Sequence, residues 1–139
     1  MQGDGKCHAA VFAIRSPAEG IERNRLYTRT EIRGLVGGGG VMEYLPSRGN
    51  EILAGCFRTE LNPEAPRVVL VGKGPRIERA AELLVEQANP VPVFLKRSVN
   101  EWEYVGRWRA IKLDKDHDTI ARHSPNTTRV SGVLFMDAC

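Results

Sequence analysis

Aromatic and basic side chains are the residues of this chain whose spacing best matches a binding chemistry. Trp102, Tyr104 and Trp108 lie close together on one predicted strand, and Arg107 and Arg109 are interleaved with them. Aromatic faces stack on unpaired or flipped bases, and arginine forks bond to phosphates or base edges. The mixture therefore favours nucleic-acid binding. In the alternative interpretation the three rings alternate along one strand face and form the core of a small barrel.

A second group of candidates precedes a run of four glycines. Four arginines fall within eleven residues: Arg23, Arg25, Arg29 and Arg33. Tyr27 lies among them, two residues before Arg29. The glycines at 37–40 accept positive φ and permit a ligand to approach the backbone closely, or they form a flexible turn. The net charge is only +3 and glutamates are interleaved with the arginines, so a solvated surface is the alternative to phosphate binding.

The segment "VVLVGKGPRIERAAELL" contains a glycine-rich turn between a predicted strand and a predicted helix. Such a turn can hold a phosphate at the helix N-terminus. The third glycine of the dinucleotide fingerprint is missing here, and Lys73 is not followed by serine or threonine. Pro75 also removes a backbone donor where several are needed. The pattern therefore indicates an ordinary strand-to-helix connection.

An acidic segment, "DKDHD", is the nearest approach to a metal site. Asp114, Asp116 and Asp118 match the first three ligand positions of a calcium loop. Thr119 and Pro125 stand where that loop requires glycine and a bidentate glutamate. We expect a solvated acidic turn, and the scattered Cys and His residues lack the paired spacing of a zinc site.

Composition predicts one globular domain over residues 1–139, since 42% of the residues are hydrophobic and 27% are charged. No apolar run approaches the roughly 20 residues that span a bilayer, and no secretion signal is recognisable. The three cysteines are odd in number and far apart, which favours reduced thiols and a cytoplasmic location. Cys56 lies within an apolar strand, as expected of a small buried hydrophobe rather than a nucleophile. We therefore expect no catalytic residue, metal or cofactor.

The elements that must position these residues follow from periodicity and turn signals. Helices are predicted within 27–35, where Thr28 or Thr30 can cap the first turn, and over 76–88. Strands are predicted at 9–14, 51–57, 67–72, 91–96, 101–113 and 130–136. This order lacks the regular strand–helix alternation of a doubly wound sheet. We predict an α+β fold, a compact mixed β-barrel with two helices.

Several short segments, taken in order, resemble domains of the PUA-like superfamily. They are "LYTRTEI", a glycine-rich turn, "EILAGCF", "NPEAP", "VLVGKGP", "VPVFLKR" and "WEYVGRWRAI". The superfamily includes SRA (YDG), ASCH and EVE domains and the sulfur-binding domains of HNH restriction endonucleases, and the likeness extends from about Leu26 to Leu113. It implies an SRA-like curved barrel whose concave face reads a modified nucleotide, with nuclease activity in a separate domain.

Particular residues carry the resemblance. Tyr27 and Arg29 match a Tyr-x-Arg element, Gly37 and Gly38 match a glycine pair, and the strand element is matched by Trp102, Tyr104 and Gly106. Arg33 departs from the histidine of SRA-type examples, and the glycine-rich turn has no polar residue. These departures leave open which modification is read.

The resemblance and the clustering together predict a non-catalytic reader of modified double-stranded DNA, the specificity module of a restriction or defence system. The mark would be a modified base such as 5-methylcytosine or a backbone phosphorothioate, and RNA remains an alternative to DNA. The expected contact residues are Tyr27, Arg29, Arg33, Gly37, Gly38, Tyr44, Arg58, Trp102, Tyr104, Arg107 and Arg109. The competing hypotheses are a small-molecule or nucleotide sensor or enzyme using the turn Gly72–Pro75, and a protein-interaction module.

Overall fold

The computed structural model describes residues 20–38 and 43–139, and within them the chain forms an α+β fold. The described helices are α1 (Arg29–Val36), α2 (Pro75–Gln87) and α3 (His117–His123). The described strands are β1 (Leu26–Tyr27), β2 (Ser47–Arg48), β3 (Glu51–Ile52), β4 (Gly55–Arg58), β5 (Val68–Gly72), β6 (Val91–Ser98), β7 (Glu101–Asp114) and β8 (Val130–Ala138). The strand predicted at 9–14 lies outside the described residues.

Six of these strands form one mixed sheet in the order β4-β6-β7-β8-β5, and β1 pairs with the first part of β7. The β4–β6 pair is parallel and the other pairs are antiparallel. The strands β2 and β3 form a separate hairpin. Within the described residues the sheet is not closed and three helices are present, so the predictions of a barrel and of two helices are both wrong.

The two outer strands have local hydrogen-bond partners, which explains why the sheet stays open. On β4, the Cys56 N–H donates to the Tyr44 carbonyl at 2.8 Å. On β5, the Leu70 N–H donates to the side-chain oxygen of Asn62 at 2.8 Å. Barrel closure would require β4 and β5 to pair with each other. Because neighbouring segments already occupy these edge groups, closure is not needed to satisfy them.

Helix α2 covers the main hydrophobic core of the sheet, termed here the first cluster. The predicted helix differs from the observed one by a single residue at each end, with Pro75 at its first position. Ala81 and Leu84 are fully buried against residues such as Val93 and Leu134. Ile77, in the first turn of the same helix, is 39% exposed.

A smaller aromatic core, termed here the second cluster, lies under α1. It joins Ile32 of α1 to Tyr27, Phe94 and Tyr104, and it also contains Trp102. The Phe94 ring centroid lies 5.8 Å from that of Tyr27 in an edge-on arrangement and 5.4 Å from that of Tyr104. Such ring pairs add to the free energy gained by burial alone. The second cluster therefore fixes β1 and α1 to the first half of β7.

A β-bulge at Gly106 divides β7 between the two clusters. Gly106 has a φ of 100°, and the register with β6 shifts by one residue at this point. An extra residue in one strand reverses which side chains face each side of a sheet. Tyr104 accordingly packs in the second cluster and Trp108 in the first. The alternative interpretation is therefore confirmed in one part, since all three rings are buried core residues, and wrong in the other, since the bulge divides them between two clusters.

The acidic segment forms the start of α3, a helix that the sequence reading missed. Asp116 is its N-cap, and its carboxylate accepts the Asp118 N–H at 3.1 Å. Asp114 accepts the Asp116 N–H at 2.9 Å and the Thr119 hydroxyl at 3.1 Å. The first of these bonds holds the pKa of Asp114 below its ordinary value. Among the described residues, no group of three or more His, Cys, Asp or Glu side chains could hold a metal ion.

The structure confirms one prediction about the cysteines and contradicts another. Cys56 is a free thiol with 2% exposure, which confirms the prediction of a small buried hydrophobe. Cys139 is disulfide-bonded, so the prediction of reduced thiols throughout the chain is wrong at this position. No helix in the described part of the chain is long and apolar enough to cross a membrane.

Candidate functional site

Helix α1 begins at a position fixed by both local and distant contacts. Thr28 and Glu31 form a capping box, in which the Thr28 hydroxyl accepts the Glu31 N–H at 3.1 Å and Glu31 Oε1 accepts the Thr28 N–H at 2.8 Å. This confirms one of the two caps predicted from the sequence. The Arg29 N–H donates to the side-chain oxygen of Asn100, in the β6–β7 turn, at 2.9 Å. The start of α1 is thereby tied to the end of a hairpin more than 70 residues away.

The other end of α1 is formed by a glycine in a left-handed conformation. Gly37 has a φ of 86°, and its N–H donates to the Arg33 carbonyl at 2.8 Å. A methyl group placed on Gly37 would lie 2.7 Å from Nη2 of Arg48. The absence of a side chain therefore lets the Arg48 guanidinium lie against the helix end, which brings a cation beside the predicted glycine pair.

Arg29 is the central charged group of the site. It is only 9% exposed, and its Nη2 donates to the Glu43 carbonyl at 2.7 Å. Its guanidinium carbon lies 5.0 Å from the centroid of the Trp102 ring, within the range of a cation–π contact. A desolvated arginine requires such compensation because removal of its charge from water is unfavourable.

Among the described residues, Arg29 and two residues that contact it each carry one buried side-chain atom without a hydrogen-bond partner. The atoms are Nε of Arg29, Nε1 of Trp102 and Oε1 of Glu43. Two of them are donors and one is an acceptor. A buried polar group without a partner costs about 1–3 kcal/mol, and such groups in native proteins call for an explanation such as a bound water or ligand. The region where α1 meets β7, termed here the corner, therefore contains polar atoms whose hydrogen-bonding capacity is unused.

Arginines surround the second cluster on its outer side. The Arg25 guanidinium carbon lies 4.6 Å from the centroid of the Tyr27 ring, and Arg25 pairs loosely with Glu31 at 3.9 Å. Arg23 lies directly against Gly106 of the bulge. Arg33 is exposed on α1. With Arg48, these exposed arginines form what is termed here the arginine rim: Arg23, Arg25, Arg33 and Arg48.

Four predicted contact residues meet in this corner, but their rings are not exposed. Tyr27, Arg29, Trp102 and Tyr104 all belong to or contact the second cluster, and none is more than 9% exposed. The Tyr27 hydroxyl accepts the Glu22 N–H at 2.9 Å. Burial raises the pKa of the Tyr104 phenol. In this conformation the aromatic faces are core surfaces, and the arginine rim provides the exposed contact groups.

The remaining predicted residues are distributed over the fold. Gly38 adjoins Gly37, and Arg107 follows the bulge near Tyr104. Tyr44 lies apart, because its hydroxyl donates to the Ile77 carbonyl in α2 at 2.6 Å, and burial raises its pKa well above the ordinary value. Arg58 pairs with Glu60 at 3.4 Å beside the outer strand β4. Arg109 lies opposite Asp137 of β8, beyond the bulge.

Sequence reasoning missed three residues of the corner. Asn100 has a φ of 52°, a conformation in which asparagine is enriched, so the turn in "RSVN" gave a usable signal for it. For Arg48 and Glu43 the sequence contained no such signal, since nothing near them indicates a contact with α1.

The glycine-rich turn before α2 is internally satisfied. The Gly74 N–H donates to Oε2 of Glu78 at 3.1 Å, and the Glu78 N–H donates to the Gly74 carbonyl at 2.9 Å. Pro75 contributes no N–H. A carboxylate therefore already occupies the place that a phosphate would need.

Comparison with known proteins adds no relative. No protein-family model matches the chain, and no curated protein or solved structure matches it.

Proposed function

We propose that this domain is a non-catalytic nucleic-acid reader whose recognition centre is Arg29. The observation that carries the proposal is a set of three buried atoms that have no hydrogen-bond partner among the described residues, Arg29 Nε, Trp102 Nε1 and Glu43 Oε1, on Arg29 and the two residues that contact it. The buried set offers two donors and one acceptor to a polar group, and the rim offers cations to phosphates. In a nucleic-acid reader, contacts to phosphates position the domain and a separate specific contact provides recognition, and the rim and the buried set would supply these two kinds of contact.

Recognition in this proposal proceeds in two steps. The exposed rim arginines first bind the phosphate backbone in a sequence-independent and salt-sensitive way. The segment at Glu43 then shifts, because the orphan atoms are fully buried in the unbound domain, and the recognised group bonds to Arg29 and Trp102. Arg29 is held ready for this contact by the Glu43 carbonyl and by the Trp102 ring.

The finer proposal is that the ligand is modified DNA, that the domain is PUA-like and that it belongs to a restriction or defence system. The motif residues of that resemblance support it, since Tyr27 and Arg29 open α1 and Gly37 ends it. Trp102 and Tyr104 pack in the same second cluster. Chemistry, in this proposal, lies in another domain or partner.

The rival hypotheses have less support. A nucleotide at the turn Gly72–Pro75 would have to displace the Glu78 carboxylate from the Gly74 N–H. A module that binds proteins through exposed aromatic rings would need rings at the surface, whereas Tyr27, Trp102, Tyr104 and Trp108 are at most 8% exposed.

Fluorescence anisotropy with labelled duplexes tests the proposal. The duplexes are plain, 5-methylcytosine, hydroxymethylcytosine and phosphorothioate DNA, with RNA of the same sequence, at several salt concentrations. We expect binding at low salt and tighter binding to one modified form. Arg33→Ala should weaken binding to every duplex, whereas Arg122→Ala removes an equally exposed arginine on α3 and should not. Absence of binding to all duplexes at low salt would refute the proposal.

A second variant separates recognition from backbone contact. Arg29→Met keeps much of the side-chain volume and removes the guanidinium, and replacing a buried charge by an apolar group is often tolerated. We expect this variant to fold and to bind all duplexes equally, with the preference for the modified form lost. A retained preference would exclude Arg29 as the recognition centre.

A further inference from the structure

The bulge at Gly106 holds an arginine fork for which the described residues provide no acceptor. Arg23 lies in the turn before β1, where Asn24 has a φ of 65°. A Cβ built on Gly106 would overlap Nη2 of Arg23 and lie 3.0 Å from its Cζ and 3.3 Å from its Nη1. The fork end of the guanidinium therefore lies against Gly106, and a side chain at position 106 would displace it from this place.

The Arg23 fork lies against the bulge without a bonded partner there. Arg23 is exposed, and within residues 20–38 and 43–139 it forms neither a hydrogen bond nor an ion pair. An arginine fork normally pairs with a carboxylate or phosphate. The paired N–H groups of Arg23 are therefore available to an outside oxyanion.

Two further groups beside the bulge favour an anion. The Tyr104 hydroxyl forms no hydrogen bond among the described residues and is not among the fully buried orphan atoms, so it can donate to a ligand. Arg107 follows Gly106 directly, and both Arg23 and Arg107 are near enough to Tyr104 to oppose the rise in its pKa. Arg25, over the Tyr27 ring, adds a further cation.

We propose that Arg23, Tyr104 and the bulge at Gly106 form a phosphodiester-binding site, in which the Arg23 fork bonds to two phosphate oxygens. The inference rests on the proposed nucleic-acid binding for the source of its ligand, and it adds a contact that is distinct from the Arg29 centre. Phosphate is favoured over the carboxylate of an acidic peptide because Arg107 also lies near Tyr104 and Arg25 lies over the ring of Tyr27 in the same cluster, which adds positive charge to this region.

Titration with inorganic phosphate tests the site directly. In nitrogen-15 NMR spectra of the intact chain, we expect phosphate to shift the side-chain Nε–H signal of Arg23, assigned by its loss in Arg23→Lys. The signal of Arg122 on α3 serves as the internal control and should not move. If the Arg23 signal stays in place, the site is refuted, whatever the domain binds elsewhere.

Anisotropy measurements then identify the source of the phosphate. Arg23→Ala should weaken binding to modified and plain duplexes alike by about tenfold. It should also reduce the slope of log K against log salt concentration by about one, as expected for the loss of one phosphate contact. Arg23→Lys should keep the salt dependence and still lose affinity, because an ammonium group lacks the fork. Loss of affinity for the modified duplex alone would overturn the assignment to phosphate, and so would equal competition by polyglutamate.

The two proposals fail separately. If no duplex binds but phosphate still shifts the Arg23 signal, the reader function is refuted and the anion site stands. If duplexes bind with a preference that depends on Arg29 while Arg23→Ala changes neither affinity nor salt dependence, the phosphodiester site is refuted and the reader function stands.

Discussion

The Arg29 guanidinium carbon lies 5.0 Å from the centroid of the Trp102 ring, and both side chains are more than nine-tenths buried. The contact joins the first turn of α1 to the start of β7 across the second cluster. Among the described residues, the ring N–H of Trp102 and the Nε–H of Arg29 have no acceptor. This pair therefore places a charged group and two unbonded donors inside the fold, and the energetic consequences can be measured.

The two tryptophans allow the effect on stability of a hydrogen-bonded indole N–H to be compared with that of an unbonded one. Trp108 Nε1 donates to the Val105 carbonyl at 3.1 Å, whereas Trp102 Nε1 finds no acceptor in residues 20–38 and 43–139. We expect Trp102→Phe to lower the free energy of unfolding by about 1–2 kcal/mol, mainly through lost volume. Trp108→Phe should cost about 1 kcal/mol more because it also breaks a buried hydrogen bond. Urea denaturation of both variants measures the difference, and an equal cost would mean that Trp102 Nε1 has a bound partner.

Two glycines should respond to alanine in opposite directions. Gly106 has a φ of 100°, which residues with a side chain rarely adopt, so Gly106→Ala should destabilise the domain by about 1–3 kcal/mol through backbone strain. Gly34 lies within α1, and a Cβ there meets no atom within 4 Å. Gly34→Ala should stabilise the domain by about 0.5–1 kcal/mol, since alanine is the better helix former. Thermal unfolding distinguishes the two, and a neutral Gly106→Ala would argue against the bulge.

Asn62 protects the outer edge of β5. It is 8% exposed, its Nδ2 donates to the Arg58 carbonyl at 3.1 Å, and its Oδ1 accepts the Leu70 N–H at 2.8 Å. Asn62→Ala should lower the free energy of unfolding by about 1–3 kcal/mol, because it leaves an edge N–H without its partner. The exposed Asn89 provides the control, and Asn89→Ala should change stability by less than about 0.5 kcal/mol. Similar values for the two variants would contradict the role of Asn62.

Cys56 should make stability fall at alkaline pH. Burial raises the pKa of its thiol to about 12, whereas an unfolded thiol titrates near pH 8.5. The folded pKa is the higher one, so the unfolded chain loses the proton first as pH rises, and folding weakens from about pH 8.5 upwards. Below that range the contribution is complete. Urea denaturation between about pH 7 and 10 should show this decline, and Cys56→Ala should reduce it; an identical slope in both proteins would exclude Cys56 as its source.

Labelling checks the same residue independently. Iodoacetamide reacts with the thiolate, so native Cys56 should remain unmodified while the urea-unfolded chain is alkylated. Mass spectrometry of the Cys56 peptide provides the readout. Rapid labelling in the native state would contradict its burial.

Local features of the sequence determined most of the elements of this protein. The capping signal at Thr28 and the punctuation by Pro75 and Asn89 placed α1 and α2 to within about two residues, because helix ends depend on neighbouring residues. The apolar runs placed β5 to β8 similarly well. The acidic segment predicted a solvated turn, and no sequence signal predicted helix α3, whose N-cap lies within this segment.

Only the tertiary structure decided which side chains meet. The bulge at Gly106 separates Trp108 from Tyr104, although strand periodicity alone would group them. Glu43 and Asn100 reach Arg29 from distant parts of the chain. The local partners of β4 and β5 leave the sheet open. Periodicity fixes the faces of an isolated element, whereas register shifts and contacts between distant segments depend on packing, which is why the sequence indicated the candidate residues but not their burial.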